Sequence, residues 1–198
     1  MKIVCALTLG LCAIAFARAD VPVPIPGDGA TAKEVLDAEK WGLKLYTRKK
    51  YEEALPYLHA AATRGQKEAQ ATLGGLYLYG KGVKRNDLLG IGWLGVAARG
   101  ETTPVITELF GKVWDKVPEK AAPQVIGIID EFERKYGEAT IECRPSRQAG
   151  SHISVETCEY GDKWDTLQEL EKRLENQSTM GTRRFDGEIG VAGGGGGI

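Results

Sequence analysis

The stretch AQATLGGLYLYGKGVKRNDLLGIGWLGVAARG, residues 69–100, decides how this chain folds. Ala69, Leu73, Leu76 and Tyr77 recur at helical spacing, Gly80-Lys81-Gly82-Val83 breaks the helix, and Asn86 or Asp87 caps the next one. In that second helix Leu89, Trp93, Leu94 and Ala97-Ala98 share a side, and Gly100 ends it. The same register stands 36 positions earlier: Ala54 falls on Gly90, Tyr57 on Trp93, Leu58 on Leu94, and Ala61-Ala62 on Ala97-Ala98. A small–aromatic–small register repeated at one offset is an internal repeat of helical hairpins.

Upstream, Thr31 and Glu34 form a capping box that opens a first helix marked by Leu36, Lys40, Leu43 and Tyr46, with Trp41 on its apolar side. A short turn, TRKK, leads to a helix with Tyr51, Ala54, Leu55, Leu58 and Ala61-Ala62, stopped by Gly65. Pro56 lies inside that pattern and removes a backbone donor, which predicts a late start or a kink. Downstream, Thr103-Pro104 starts a helix with the stripe Ile106, Leu109, Val113 and Val117. Val125, Ile128-Ile129, Phe132 and Tyr136 mark its partner, and this pair lacks the repeat signature. It reads as a terminal cap, which a short repeat array needs.

These residues resemble the Sel-one-like repeat (SLR), a relative of the tetratricopeptide repeat (TPR). The family pattern stands here as Ala69, Leu73-Gly74, Tyr77, Gly80, Gly82-Val83, Asn86, Gly90, Trp93, Ala97-Ala98 and Gly100. Asn86 replaces the usual Asp, and the final Gly comes one residue early. The first repeat, from about residue 38 to 65, has a loop five residues shorter and is closer to a TPR. The resemblance implies an α-α solenoid of about 2.5 hairpins. Some SLR proteins bind or turn over β-lactams, but those carry cysteine pairs within their repeats, which this chain lacks.

The ends of the chain have another texture. Met1-Lys2, the apolar run Ile3–Phe16 and Ala17-Arg18-Ala19 read as an export signal cleaved before Asp20. The run is too short to span a bilayer, which takes about 20 apolar residues. Cleavage removes Lys2 and Arg18 and no acidic residue, so a net charge of −1 becomes −3. It also removes Cys5 and Cys12, leaving Cys143 and Cys158. Two cysteines in an exported chain read as one disulfide, closing a loop that stabilises by about 3 kcal/mol. Residues 20–30 form a stiff Pro-rich leader. Thr140–Cys143 and Ile153–Cys158 read as a small β-hairpin, with a bulge to reconcile Val155 and Cys158, and Asp162 caps a last helix through Leu167, Leu170 and Leu174. The expected organisation is therefore signal 1–19, leader 20–30, repeats 31–65 and 66–101, cap 103–137, hairpin plus helix 138–175, and a disordered Gly-rich tail 176–198.

With 26 basic and 27 acidic residues, the chain carries no electrostatic footprint for nucleic acid. Its two histidines, His59 and His152, leave metal sites and Ser-His-Asp chemistry without material. His59, between Leu58 and Ala60, reads as solvent-facing. Asp130, Glu131 and Glu133 read as a solvated helix face, and Gly80-x-Gly82 lacks the strand and Gly-Lys-Ser/Thr of a phosphate loop. No catalytic, metal or cofactor residue is expected.

A binding role has more support. Arg48, Lys49 and Lys50 occupy the first hairpin's turn, and Lys81, Lys84 and Arg85 the second's, so six cations line one edge. Tyr79, the counterpart of Arg48, sits about 200° around the helix from Tyr77 and points away from the core. Such an edge suits an acidic protein segment, with anionic lipid the weaker option; ordinary solvated loops, eased by Glu52, Glu53 and Asp87, are the more usual explanation of such cations. The reading is an exported, periplasmic or secreted, non-catalytic module that docks an extended peptide or loop on its concave helix face. The alternatives are a small envelope hydrolase or ligand-binding enzyme, and a purely structural envelope component.

Overall fold

The computed structural model describes residues 22–138, 141–147, 154–159 and 164–179. The chain is mostly helical: α1 (Ala32–Thr47), α2 (Tyr51–Ala62), α3 (Lys67–Tyr79), α4 (Asp87–Ala97), α5 (Pro104–Trp114), α6 (Ala122–Tyr136), strands β1 (Glu142–Arg147) and β2 (Ser154–Glu159), and α7 (Trp164–Thr179). Helices α1/α2 and α3/α4 pack as antiparallel hairpins, and α2 packs on α3. The result is a helical-repeat solenoid.

Local chemistry sets the helix ends. Thr31 accepts from the Glu34 backbone N–H while the Glu34 carboxylate accepts from the Thr31 N–H at 2.8 Å, a complete capping box. Asn86 caps α4 by accepting from the Leu88 and Leu89 N–H groups. Gly80 closes α3 in the left-handed region.

The repeat is written in its close approaches. A Cβ on Gly42 would touch the Leu58 side chain at 3.0 Å, and one on Gly74 would lie 2.8 Å from the Gly90 carbonyl and 2.9 Å from Leu94 N. Gly42–Leu58 and Gly74–Leu94 are the same contact in successive hairpins. They place the first helices at an offset of 32 and the second helices at 36. Three residues join α1 to α2 and seven join α3 to α4. The first loop is thus four residues shorter, not five, and Tyr79 answers to Thr47 rather than Arg48.

The same contact explains the buried face of α1. Val35, Ala38, Gly42 and Leu45 turn inward, while Leu36 is exposed and Leu43 and Tyr46 are half-buried. The small residues, not the larger leucine stripe, determine which side meets α2. In α2, Pro56 sits inside a helix that already begins at Tyr51, so it delays nothing.

Helix α4 is buried on all sides from Leu88 to Ala97. Gly92 faces Phe132, and Gly95 faces Ile129, each too closely for a Cβ. These glycines let α6, rather than α5, become the main neighbour of α4 beyond its own hairpin. Trp93, fully buried, stands edge-on to Phe132 (4.9 Å) and stacks on Tyr136 (5.0 Å). On α5, Ile106 and Val113 are buried and Leu109 is half-buried, and Val117, half-buried in the turn beyond the helix, completes the stripe.

The leader does not project. Arg64, buried at the end of α2, donates to the Ala60 carbonyl and to the Gly27 carbonyl, both at 2.9 Å. Ala30 packs with Val35, Ile141 and Cys158. β1 and β2 pair antiparallel without a break from Glu142↔Glu159 to Arg147↔Ser154, so the ladder contains no bulge. Among the described residues, Cys158 of β2 packs against Ala30 and Val35 at the start of the helical part. Helix α7 continues to Thr179, past the expected start of the tail at 176. Residues 1–21, His152, Asp162 and 180–198 lie outside the described residues, and with them the signal, the last helix cap and the Gly-rich tail.

Candidate functional site

The turn edge is where the two hairpins meet. Gly82, at φ +69°, sits so close to α2 that a Cβ would lie 2.7 Å from Tyr51 Cβ and 2.8 Å from Glu52 N. This approach carries the longer second loop onto the start of α2. Lys81 therefore lies over two rings, with Nζ 5.6 Å from the Tyr51 centroid and 5.4 Å from that of Tyr79. Tyr46 joins them, its ring 5.6 Å from Tyr51. Burial pushes the Tyr46 phenol above its ordinary range, reinforced by Tyr51 and Tyr79. Tyr79 is 37% exposed, one of the few large apolar side chains open to solvent. On α1, Lys44 lies over Trp41 at 4.9 Å.

The six cations do not form one uniform ridge. Lys50 pairs with Glu53 at 3.1 Å, and Arg85 with Asp87 at 2.8 Å. Lys84 pairs with Glu175 of α7 at 2.7 Å. Arg48 and Lys49 are exposed in the tight first turn, where Lys49 adopts φ 61°. The structure thus brings Lys81 and Tyr79 together with Tyr46 and Tyr51, which the sequence reading left out. It assigns Lys84 to a helix 91 positions away.

That helix forms the second feature. Leu167, Leu170 and Leu174 of α7 are buried in the same core as Tyr77, Leu89 and Trp93. Its polar side is anchored at three points: Tyr77 donates to Glu171 at 2.5 Å, Lys84 meets Glu175, and Arg173 donates to Glu131 on α6. Burial works against ionisation of Glu131, but the hydrogen bonds from Arg173 and Lys135 hold its carboxyl below the usual range. Its neighbour Asp130 pairs with Arg99. Of the acidic run expected to be a solvated face, Asp130 is therefore engaged with Arg99, just past α4, and Glu131 with Arg173 of α7.

His59 is the main correction. It is 6% exposed, not solvent-facing, because α7 closes over it. Its Nε2 lies 3.4 Å from the Tyr77 hydroxyl, and its Nδ1 3.8 Å from Glu171. Desolvation lowers its pKa to about 4, so the ring is neutral at pH 7. Burial pushes the Tyr77 phenol up, and the Glu171 carboxylate beside it adds to the shift. Burial also raises Glu171, against the hydrogen bond from Tyr77 and with the help of Glu175. Beside this seam, a cleft of about 190 Å³ is lined by Tyr77, Lys84, Arg85, Asn86, Leu89, Glu171 and Glu175. A neutral histidine and a protonated tyrosine make a hydrogen-bonded seam between helices, without an activated nucleophile.

Among the described residues, no group of three or more His, Cys, Asp or Glu is placed to hold a metal ion. No described helix is long and apolar enough to cross a membrane. No protein-family model matches the chain, and no curated protein is similar to it. Among solved structures, the chain is similar to c5321, a protective antigen present in uropathogenic Escherichia coli strains and displaying an SLR fold. The match has 21% identity and a TM-score of 0.47, and covers 59% of this chain and 27% of that one.

Proposed function

We propose that this chain is an exported, non-catalytic SLR-type module of the bacterial cell envelope, an adaptor that docks an extended peptide or loop of a partner protein. The observation that carries the reading is the cluster at the hairpin junction, where Lys81 bridges Tyr51 and half-exposed Tyr79. Aromatic rings held rigid beside a cation give contact area at little entropic cost, which is what an interface anchor requires. The partner segment lies against the concave helix face, with Arg48, Lys49, Tyr79 and Lys81 along its rim, and acidic side chains suit that rim. The paired packing of Gly42–Leu58 and Gly74–Leu94 supports the repeat assignment.

Two further parts of the reading concern export. The signal is removed near Ala19/Asp20, giving a periplasmic or secreted chain. Cys143 and Cys158 form its disulfide, supported by their directly opposed backbone positions across β1 and β2.

The test uses residues 20–198 as bait in envelope extract, with lysine-reactive cross-linking and mass spectrometry, beside a Tyr79→Ala/Lys81→Glu/Arg85→Glu variant. The expected result is a partner cross-linked at Lys49, which both chains keep, by the parent and not by the variant. Equal capture by both removes the proposed surface, and no specific capture removes the adaptor reading.

A further inference from the structure

The Pro-rich leader and Pro56, two features of the sequence that the rim does not use, come together in the fold. Pro56, Ala60, Thr63 and Arg64 stand at i, i+4, i+7 and i+8 along α2 and just past its end, so they share one face. Ile25, Pro26, Gly27 and Asp28 of the leader form the other wall of a cleft of about 450 Å³. That is more than twice the cleft beside α7, and it falls within the range of about 300–1,000 Å³ that small-molecule sites occupy.

The cleft has a fixed wall, a small floor and a polar end. Buried Arg64 holds the wall, since it donates to the Ala60 carbonyl of the helix and to the Gly27 carbonyl of the leader. Ala60 is the floor, and a larger side chain between Pro56 and Arg64 would fill the space. Inside α2, Pro56 gives up the hydrogen bond to the Glu52 carbonyl, and its ring supplies a saturated apolar surface to the cleft. Ile25 adds a second apolar surface, open to solvent at 51% exposure. At the polar end Asp28 and Arg64 are opposite in sign, with Thr63 beside Arg64. Offset charges favour neither an anion nor a cation. A group that carries both a donor and an acceptor serves the carboxylate and the guanidinium together.

We propose that the leader–α2 cleft is a binding site for a small neutral amide with an apolar body, the chemistry of a hydrophobic amino acid capped at both ends. The apolar body lies among Ile25, Pro26, Pro56 and Ala60. The amide N–H faces Asp28, and the carbonyl faces Arg64 and Thr63. No helix has to move to admit it, and the site is separate from the Tyr79–Lys81 rim.

The experiment titrates the labelled exported protein with N-acetyl-phenylalaninamide and follows backbone amides by heteronuclear NMR. The signals of Ile25, Gly27, Ala60 and Thr63 shift saturably, with a Kd of about 1 mM. Phenylacetate and phenethylammonium carry the same ring on a charged head and bind at least tenfold more weakly. Ile25→Ser, a change at an exposed position outside the helices, weakens the amide at least tenfold. Pro56→Ala also weakens binding while raising the melting temperature, because alanine restores the α2 hydrogen bond; a proline with no part in the site would leave the affinity unmoved. The absence of a saturable shift, shifts centred on other residues, or an affinity unchanged by either substitution overturns the site. Binding of either charged probe within tenfold of the amide makes the polar end a site for an ion and overturns the amide assignment. These outcomes are read at the leader and α2, so they stand whether or not Tyr79 and Lys81 capture a partner.

Discussion

The Tyr77 hydroxyl donates to the Glu171 carboxylate at 2.5 Å across 94 positions of sequence, and this bond fixes the C-terminal helix to the second repeat. Both groups are largely withdrawn from water. Tyr77→Phe keeps the ring in the core but leaves the carboxylate without its donor, at a cost of about 1–3 kcal/mol. Urea unfolding of parent and variant measures this. Tyr77→Phe combined with Glu171→Leu recovers most of the loss, because neither partner is then left buried and unpaired.

The buried His59 makes stability depend on pH in a defined window. In the unfolded chain the imidazole titrates near 6.5, and in the folded chain at about 4. Between these values the unfolded chain binds the extra proton, so stability from this group rises as pH rises from 4 to 6.5 and is constant above. Glu171, raised in the fold and facing His59 from α7 with Glu175 beside it, contributes the opposite slope above the ordinary carboxylate range. Comparing the parent with His59→Gln isolates the histidine. The parent-minus-variant difference grows by up to about 3 kcal/mol from pH 4 to pH 7.

How much of this was legible in the sequence follows from range. The repeat was readable because close helix packing demands small residues at fixed spacing, and Gly74, Gly90 and Trp93 declare it locally. Gly92 and Gly95, three apart on α4, carried the same signal for the α6 contact and went unread. His59 was misplaced because its cover, α7, comes from over 100 positions downstream, and no local pattern announces it. The turn cations were legible as a group, but their partners were not. Lys84 belongs to Glu175, and only the approach of Gly82 to Tyr51 puts Lys81 over the tyrosines.

Adjacent glycines on α3 offer an internal control for that packing. A Cβ at Gly74 meets the Gly90 carbonyl and Leu94 N, backbone atoms that cannot step aside, whereas one at Gly75 meets nothing within 4 Å. Gly74→Ala therefore forces α3 and α4 apart and costs about 1–3 kcal/mol. Gly75→Ala gains about 0.5–1 kcal/mol, since alanine restricts the unfolded chain and favours helix. Thermal melts of the two variants move in opposite directions from the parent.

The proposed disulfide ties the β-hairpin to itself and, through Cys158, to the start of α1, where Ala30, Val35 and Ile141 gather. Reduction removes the cross-link from the unfolded chain, a loss of about 3 kcal/mol in the chain-entropy model. The hairpin is small and two-stranded, so it suffers first. Far-ultraviolet spectra of the reduced chain stay helical while protection of the β1 and β2 amides collapses. Cys143→Ser/Cys158→Ser reproduces that state without reductant. A thiol titration of the exported protein, unfolded without reductant, returns no free cysteine; two free thiols there remove the disulfide. The repeats answer separately, since Gly42–Leu58 and Gly74–Leu94 lie within hairpins that hold no cysteine.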